Sequence, residues 1–477
     1  MNALDIVPTL LAIPAAAALL LALLPCTVRA AAVVGGGACV ALLATTLVML
    51  GAERGAGELF LVDRLNLHLL VLTALIAAAT APVSAGAIAR EVEATRLSHR
   101  GGRLFHALFQ AFLAAAMLAL AANNLVLLWI AVEAAVLACA AMFSLWRTPR
   151  SLAACWSLLV MCGAGLGLAL LGTVLVYAAA QPATGAGMPA LTWSRVLEVS
   201  AEADPALLSL GFVPVLLGYG AVAGLAPMNG WLARAHGQGA APVGAVLSGL
   251  LLNVALLAML RFKMLLAASS AGLKPGGLLI GLGLVSALAA VVMLHRCRDM
   301  RHLLAFSSAQ HMGLATVAFG LGGTAGNVAG LLQVTLHALT KSALFAALGP
   351  AGRDADRRGT EGRARAPGLR WAVLAGVVAV AGLPPFGLFA SAFLIVTAAA
   401  AHSPFLAAAV LLGLVAALVA LAARLPAAWA SESCAGRMVD GLAVVPVFMQ
   451  LGLVLLAGIW LPEPVAVWLR SLAEQLG

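Results

Sequence analysis

The stretch Val215–Asn253, VLLGYGAVAGLAPMNGWLARAHGQGAAPVGAVLSGLLLN, decides how the chain reads. It begins as an apolar helix and meets Gly218, Gly220, Gly224 and Pro227 within ten residues. Glycine costs about 1 kcal/mol in a helix interior and proline about 3, so a break is expected near Gly224 and Pro227. A polar run follows, Asn229 to Gln238 with Arg234 and His236, and a second apolar helix starts at Pro242. Within a bilayer, broken backbone is tolerated only where protein or a wet cavity satisfies its amide groups. The segment points to an ion-handling site, with a proline kink that only shapes the bundle as the alternative.

The whole chain shares this apolar character. It has 477 residues, 63% hydrophobic and 9% charged, with a mean hydropathy of +1.07. Soluble domains carry about 25% charged residues, so most of this chain is expected to lie in lipid. Spans read near 6–24, 30–50, 66–89, 104–122, 125–146, 152–180, 207–228, 241–262, 276–294, 302–321, 326–349, 370–398, 405–423 and 441–461. That makes an all-α polytopic membrane protein with about fourteen helices of the ~20 residues a bilayer requires. No Lys or Arg lies between Met1 and Asp5, so no cleavable leader is expected.

The formal charge of +9 does not suggest nucleic acid, because its basic residues are scattered through short loops. With the N-terminus outside, 19 of the 27 Lys and Arg fall in loops facing the cytoplasm and seven in loops facing out. Lys341 alone falls inside a span. The bias predicts both termini outside. Arg261 and Lys263 read as outer-loop residues. The loop Gly349–Leu369 reads as a solvated connector, and 181–205, with Trp193, as a short amphipathic stretch on the membrane surface.

Gly382-Leu383-Pro384-Pro385 interrupts the twelfth span as Gly224 and Pro227 interrupt the seventh. Two breaks five spans apart suggest two inverted five-helix units, unless the prolines coincide by chance. The expected division is 1–103 for helices 1–3, 104–262 and 263–424 for the two repeats, and 425–477 for the last helix. The seven cysteines form no C-x-x-C pair, and no P-loop, dinucleotide fingerprint or haem motif appears. No cofactor or metal is expected, so any redox chemistry belongs to a partner.

Ionisable groups at membrane depth are costly enough to be functional candidates. Glu133 lies in LVLLWIAVEAAVLACAAMF, where a lone carboxylate stays protonated unless a cation or water supports its charge. His311 follows FSSAQ. His337 and Lys341 stand at i and i+4 in LLQVTLHALTKSALF, on one helix face with Gln333, Thr340 and Ser342 nearby. Hydrogen-bonded packing is the alternative for each of these. His68 and His106 read as interfacial. Asn253 is polar but cannot carry a proton alone.

The runs GYGAVAGLAPMNGWLARAHGQGAAPVGAVLSGLLLN, RHLLAFSSAQHMG, HALTKSALF and GLPPFGLFASAFLI resemble the antiporter-like proton-channel subunits of respiratory complex I. Within that superfamily they are most similar to component F of hydrogenase-4 and formate hydrogenlyase-type complexes. NNLVLLWIAVEAAVLACAAMF followed by WRTPRSLAACW adds to this match. The resemblance covers spans four to thirteen. It implies a bacterial inner-membrane subunit, other membrane subunits beside it, and a peripheral redox arm carried by partners. It assigns Glu133, His236, Asn253, His311, His337 and Lys341 to a proton path, and Pro227, Trp231 and Pro242 to the framework.

The departures from the family pattern matter for function. Within G-[FY]-G-x-K-A-G-L, Val222 stands in place of lysine. Arg234 replaces an acid in W-L-P-D-A-H, and Ala392 replaces an acid or lysine in P-P-F-G-x-F-x-S-E-F. Without these charges, pumping is expected to be weakened or absent, although water and histidines would still connect a path. A cation/proton antiporter subunit, an inorganic-carbon uptake partner and a non-conducting scaffold are the competing readings.

Overall fold

A computed structural model describes residues 2–238, 241–297, 299–348, 367–424 and 441–477. The described residues are almost entirely helical. Helices α1 (Ala3–Leu23), α2 (Val28–Leu50), α3 (Arg64–Glu93), α4 (His99–Ala121), α5 (Leu125–Ser144) and α6 (Pro149–Thr184) come first. A two-stranded hairpin, β1 (Gly55–Ala56) and β2 (Leu61–Val62), precedes α3. Two short helices follow α6, α7 (Met188–Leu191) and α8 (Trp193–Glu198), in the stretch expected at the membrane surface.

Next comes the interrupted segment: α9 (Pro205–Val222), α10 (Gly230–Gln238), α11 (Ala241–Val246), a π-helical turn (Leu247–Leu251) and α12 (Leu252–Ala268). Then α13 (Pro275–Arg296), α14 (Met300–Leu321) and α15 (Gly323–Leu348) lead to a second interrupted pair, α16 (Pro367–Val380) and α17 (Gly387–His402). Helices α18 (Pro404–Ala422), α19 (Gly441–Ile459) and α20 (Glu463–Gln475) close the described chain.

Among the described residues, eleven helices are long and apolar enough to cross a membrane, and counting the α19–α20 pair, bent by 83°, as one span makes twelve. Helices, whole or interrupted, cover the residue ranges expected for the spans, though among the described residues fewer than fourteen of them meet the length and apolarity a crossing needs. Helix α14 is long enough, but its Ser, Gln and His residues keep it out of the apolar set. Helices α16 and α17 are each too short to count alone. Most of the loop expected at Gly349–Leu369, residues 349–366, lies outside the described residues.

Local sequence sets the helix starts. Asp63 and Asn66 form a reciprocal capping box at α3, Asn124 caps α5, and Thr148 with Ser151 boxes the start of α6. Helices α6 and α9 approach closely where Gly165 meets Gly218, and α13 and α14 where Gly283 meets Gly313. Such small-residue contacts substitute for the hydrophobic drive that lipid removes. The span Val243–Ala268 is wholly buried and α15 nearly so, whereas only about a third of α2 and of α18 is buried. The centre of the bundle is therefore α12 and α15.

Three placements differ from the sequence reading. Arg261 and Lys263 are not in an outer loop: α12 continues to Ala268 and buries both. Arg261 donates to Asp63 at 2.6 Å and lies 4.3 Å over the Trp193 ring, while Lys263 donates to the Leu476 carbonyl at 3.1 Å. These partners, up to 213 residues away in sequence, compensate charges that the local pattern left to water. His106 is buried on α4 beside the Phe105 ring rather than interfacial. Finally, Glu463–Gln475 turns sharply from α19 as an amphipathic helix of its own.

Candidate functional site

Both breaks expose backbone that the fold then satisfies. Helix α9 ends at Val222, and Gly224 takes φ +78, a left-handed conformation open to glycine. The Ala221 carbonyl accepts from the Gly224 amide at 3.2 Å and from Trp231 Nε1 at 2.9 Å, and the Ala226 amide donates to Ser286 Oγ at 2.9 Å. Pro227 lies in the gap before α10. In the second break Gly382 takes φ +69, and Pro384 and Pro385 separate α16 from α17. There the Val380 carbonyl accepts from His311 Nε2 at 3.0 Å.

This last bond fixes a tautomer. A carbonyl only accepts, so His311 carries its proton on Nε2 and accepts at Nδ1 from Gln333 Nε2 at 2.6 Å. Gln333 Oε1 in turn accepts from Ser391 Oγ at 2.6 Å. The same logic applies to His236 on α10. Its Nδ1 donates to the Leu232 carbonyl at 2.8 Å, so Nε2 accepts from Ser248 Oγ at 2.6 Å. Ser248 lies 3.1 Å from Ser308 Oγ.

The Leu304 carbonyl joins the two halves. It faces three donors: Lys341 Nζ at 2.7 Å, Ser307 Oγ at 2.9 Å and Ser308 Oγ at 3.1 Å. Lys341 Nζ also donates to Ser307 Oγ. One polar line thus runs from His236 through Ser248 and Ser308 to Leu304 O and Lys341. One helical turn from Lys341 lies His337, whose ring centroid is 5.5 Å from that of His311. Both His337 nitrogens lack a partner among the described residues although the residue is 1% exposed. The line resumes at His311 and ends at Ser391, next to Ala392.

His236, His311, His337 and Lys341 are therefore brought together, all buried. Asn253 is close in sequence to the line but turned to its own helix, donating to the Gly249 carbonyl of the π-helical turn at 3.0 Å. Glu133 stands apart. It is half-buried on the outward stripe of α5 between Ile130 and Leu137, each 49% exposed, and has no hydrogen bond or ion pair among the described residues. Val222, in the position of the usual lysine, is fully buried. Sequence reasoning missed Ser248, Ser307, Ser308 and Ser391; the available signal was single hydroxyls inside apolar helices.

At the two ends of the bundle, carboxylates cap helices. Burial alone would push Asp63 up, but the Arg261 charge and the hydrogen bonds from Arg261, Asn66 and Gln475 outweigh it and hold the carboxyl below its usual range. At the opposite end Asp299 caps α14. The hydrogen bond from His302, foremost, and the Arg301 amide hold its carboxyl below the ordinary value.

Comparison with known proteins places this geometry. A family described as NADH:quinone oxidoreductase/Mrp antiporter, transmembrane, matches residues 122–419. A hydrogenase-4 component F homolog of Methylacidiphilum infernorum is 41% identical over 89% of this chain and 90% of its own length. Formate hydrogenlyase subunit 3 of Escherichia coli is 30% identical over 38% of this chain and 32% of its own. In fold, a chain of the archaeal membrane-bound sulfane sulfur reductase superposes with a TM-score of 0.82 at 19% identity, covering 98% of this chain and 97% of that one. A chain of respiratory complex I from Thermus thermophilus gives 0.76 at 22% identity, covering 96% and 98%.

Proposed function

Because the chain belongs to the NADH:quinone oxidoreductase/Mrp antiporter transmembrane family, as an antiporter-like multi-pass membrane subunit, we propose that its buried polar line is a proton relay whose coupling to redox chemistry is weakened. The assembly is hydrogenase-like, with electron transfer in a peripheral arm carried by partner subunits. The observation that carries the reading is the convergence on the Leu304 carbonyl, which accepts from Lys341, Ser307 and Ser308 and so holds the lysine beside the Ser308–Ser248–His236 hydroxyl line. The carbonyl anchors the donors, and the hydroxyls and the ammonium carry the proton. A chain of rotating hydroxyls and imidazoles can pass a proton without moving a side chain far.

Two replacements limit what the relay can do. Val222 offers no cation to drive a proton along, and Ala392 leaves Ser391 as the last polar group of the line, with no titratable stop beyond it. Passive transfer survives such losses; driven pumping does not, because nothing switches the affinity of the relay. The two breaks, each with a positive-φ glycine ahead of proline, support reading 104–262 and 263–424 as two inverted repeats with fourteen helices in all. The arginine bias supports a bacterial inner-membrane orientation with both termini outside.

Glu133 fits an assembled complex better than an isolated chain. A carboxylate on an outward apolar stripe is unfavourable against acyl chains, and a neighbouring membrane subunit would supply its partner. The test is proton uptake by vesicles containing the purified chain under an imposed potential. Lys341→Met is expected to slow uptake at least about tenfold, a conservative bound against the ~100-fold or more that a positioned proton-transfer group contributes. Unchanged uptake would favour the scaffold reading.

A further inference from the structure

The polar line begins at His236, a buried group, and one titratable pair at the same end of the bundle has no part in it so far. Asp299 caps α14 and is bonded by the Arg301 amide at 3.0 Å and by His302 Nδ1 at 3.3 Å. Unlike the groups of the line, this pair meets water: the two side chains are 34% (His302) and 39% (Asp299) exposed. The Cε1–Nε2 edge of the His302 ring lies against α10 at Gly237, where any Cβ would overlap it. Gly237 directly follows His236. Glycine there costs about 1 kcal/mol of helix propensity, and what it permits is contact between the imidazole and the α10 backbone.

The surrounding charges make such a pair useful. Arg301 flanks Asp299, Arg234 is exposed on α10, and Lys341 lies deeper along the line. An arginine-rich mouth repels protons, and a carboxylate beside an imidazole offsets that field locally. Asp299 holds the Nδ1 hydrogen of His302, which leaves Nε2 to take a proton from water and release it on the α10 side.

We propose that the Asp299–His302 pair is the loading port of the relay: His302 collects a proton from the aqueous phase at Nε2 and passes it beside Gly237 to Nε2 of His236. The lone pair of His236 Nε2 opens to the incoming proton when the Ser248 side chain swings off it toward Ser308; once the proton has passed, His302 is neutral again and the Ser248 oxygen returns to accept from Nε2. The proposal rests on the relay reading of the buried line.

The experiment uses the full chain in vesicles under an imposed potential, with an internal pH dye. His302→Ala is expected to slow initial uptake about a hundredfold, the lower end of what a positioned proton-transfer group contributes. Millimolar imidazole in the external buffer is expected to restore most of the rate, which a structural role for His302 would not allow. His302→Gln keeps the size and polarity and is expected to be equally slow and equally rescued. Gly237→Ala, which displaces the ring, should give a milder loss. Wild-type rates in both His302 variants, or losses that imidazole fails to repair, overturn the port. Lys341→Met run in parallel separates the two ideas: a slow Lys341→Met beside a fast His302→Ala sinks the port alone. A Lys341→Met as fast as wild type, or a wild type no faster than empty vesicles, sinks the relay and the port with it.

Discussion

Lys341 is buried completely and donates to a carbonyl and a hydroxyl, with no carboxylate bonded to it among the described residues. A lysine at the centre of a helix bundle costs about 2.5–3.5 kcal/mol on insertion scales, so its retention implies a use. Lys341→Met therefore predicts opposite effects on two readouts: slower proton uptake, and a thermal midpoint equal to or above wild type. A fall in both would mean that Lys341 is held for packing. His337, Lys341, His311 and His236 were legible from sequence because titratable groups at membrane depth are so rare. The Leu304 carbonyl that joins them was not, since every residue has one and only the fold selects which is used. Glu133 was legible as a deep carboxylate, but not the direction in which it points.

At the scale of elements, the broken helices explain why the buried polar line lies where it does. Each break releases carbonyls or amides that unbroken helices keep for themselves, and His311 takes one of them, Val380 O. Glycine and proline made both breaks readable in advance. The end of α12 was misread because hydropathy falls at Arg261 and Lys263, whereas tertiary partners keep both inside the helix. Arg261→Leu tests this: it strands Asp63 among buried groups and is expected to cost about 3–5 kcal/mol near neutral pH. The pair also predicts an acid response. Asp63 has a folded value lowered below its unfolded value of about 3.9, so its contribution is present above that pH and lost as pH falls through the folded value. Thermal unfolding of wild type between pH 6 and pH 3 should show this loss, and Asp63→Asn should flatten it.

For the whole molecule, Glu133 lies on an outward stripe while the polar line lies inside, so the proposed partner contact and the proposed relay fall on different parts of the chain. Glu133→Ala is expected to leave uptake by the isolated chain unchanged and to reduce co-purification of the adjoining membrane subunit several-fold. Cysteines placed at Ile130 and Leu137 should cross-link to that subunit, and a lack of any adduct would place the interface elsewhere. Val222→Lys tests the proposed loss of drive. A cation restored on α9 is expected to change proton movement in the assembled complex, and an unaltered rate would remove Val222 from the explanation of weakened pumping.

The most direct measurement is proton uptake by vesicles holding the purified wild-type chain, set against Lys341→Met and empty vesicles under the same imposed potential. Wild type should exceed empty vesicles, and Lys341→Met should lose at least about nine-tenths of that excess. Equal rates for wild type and Lys341→Met would contradict a relay through the buried line.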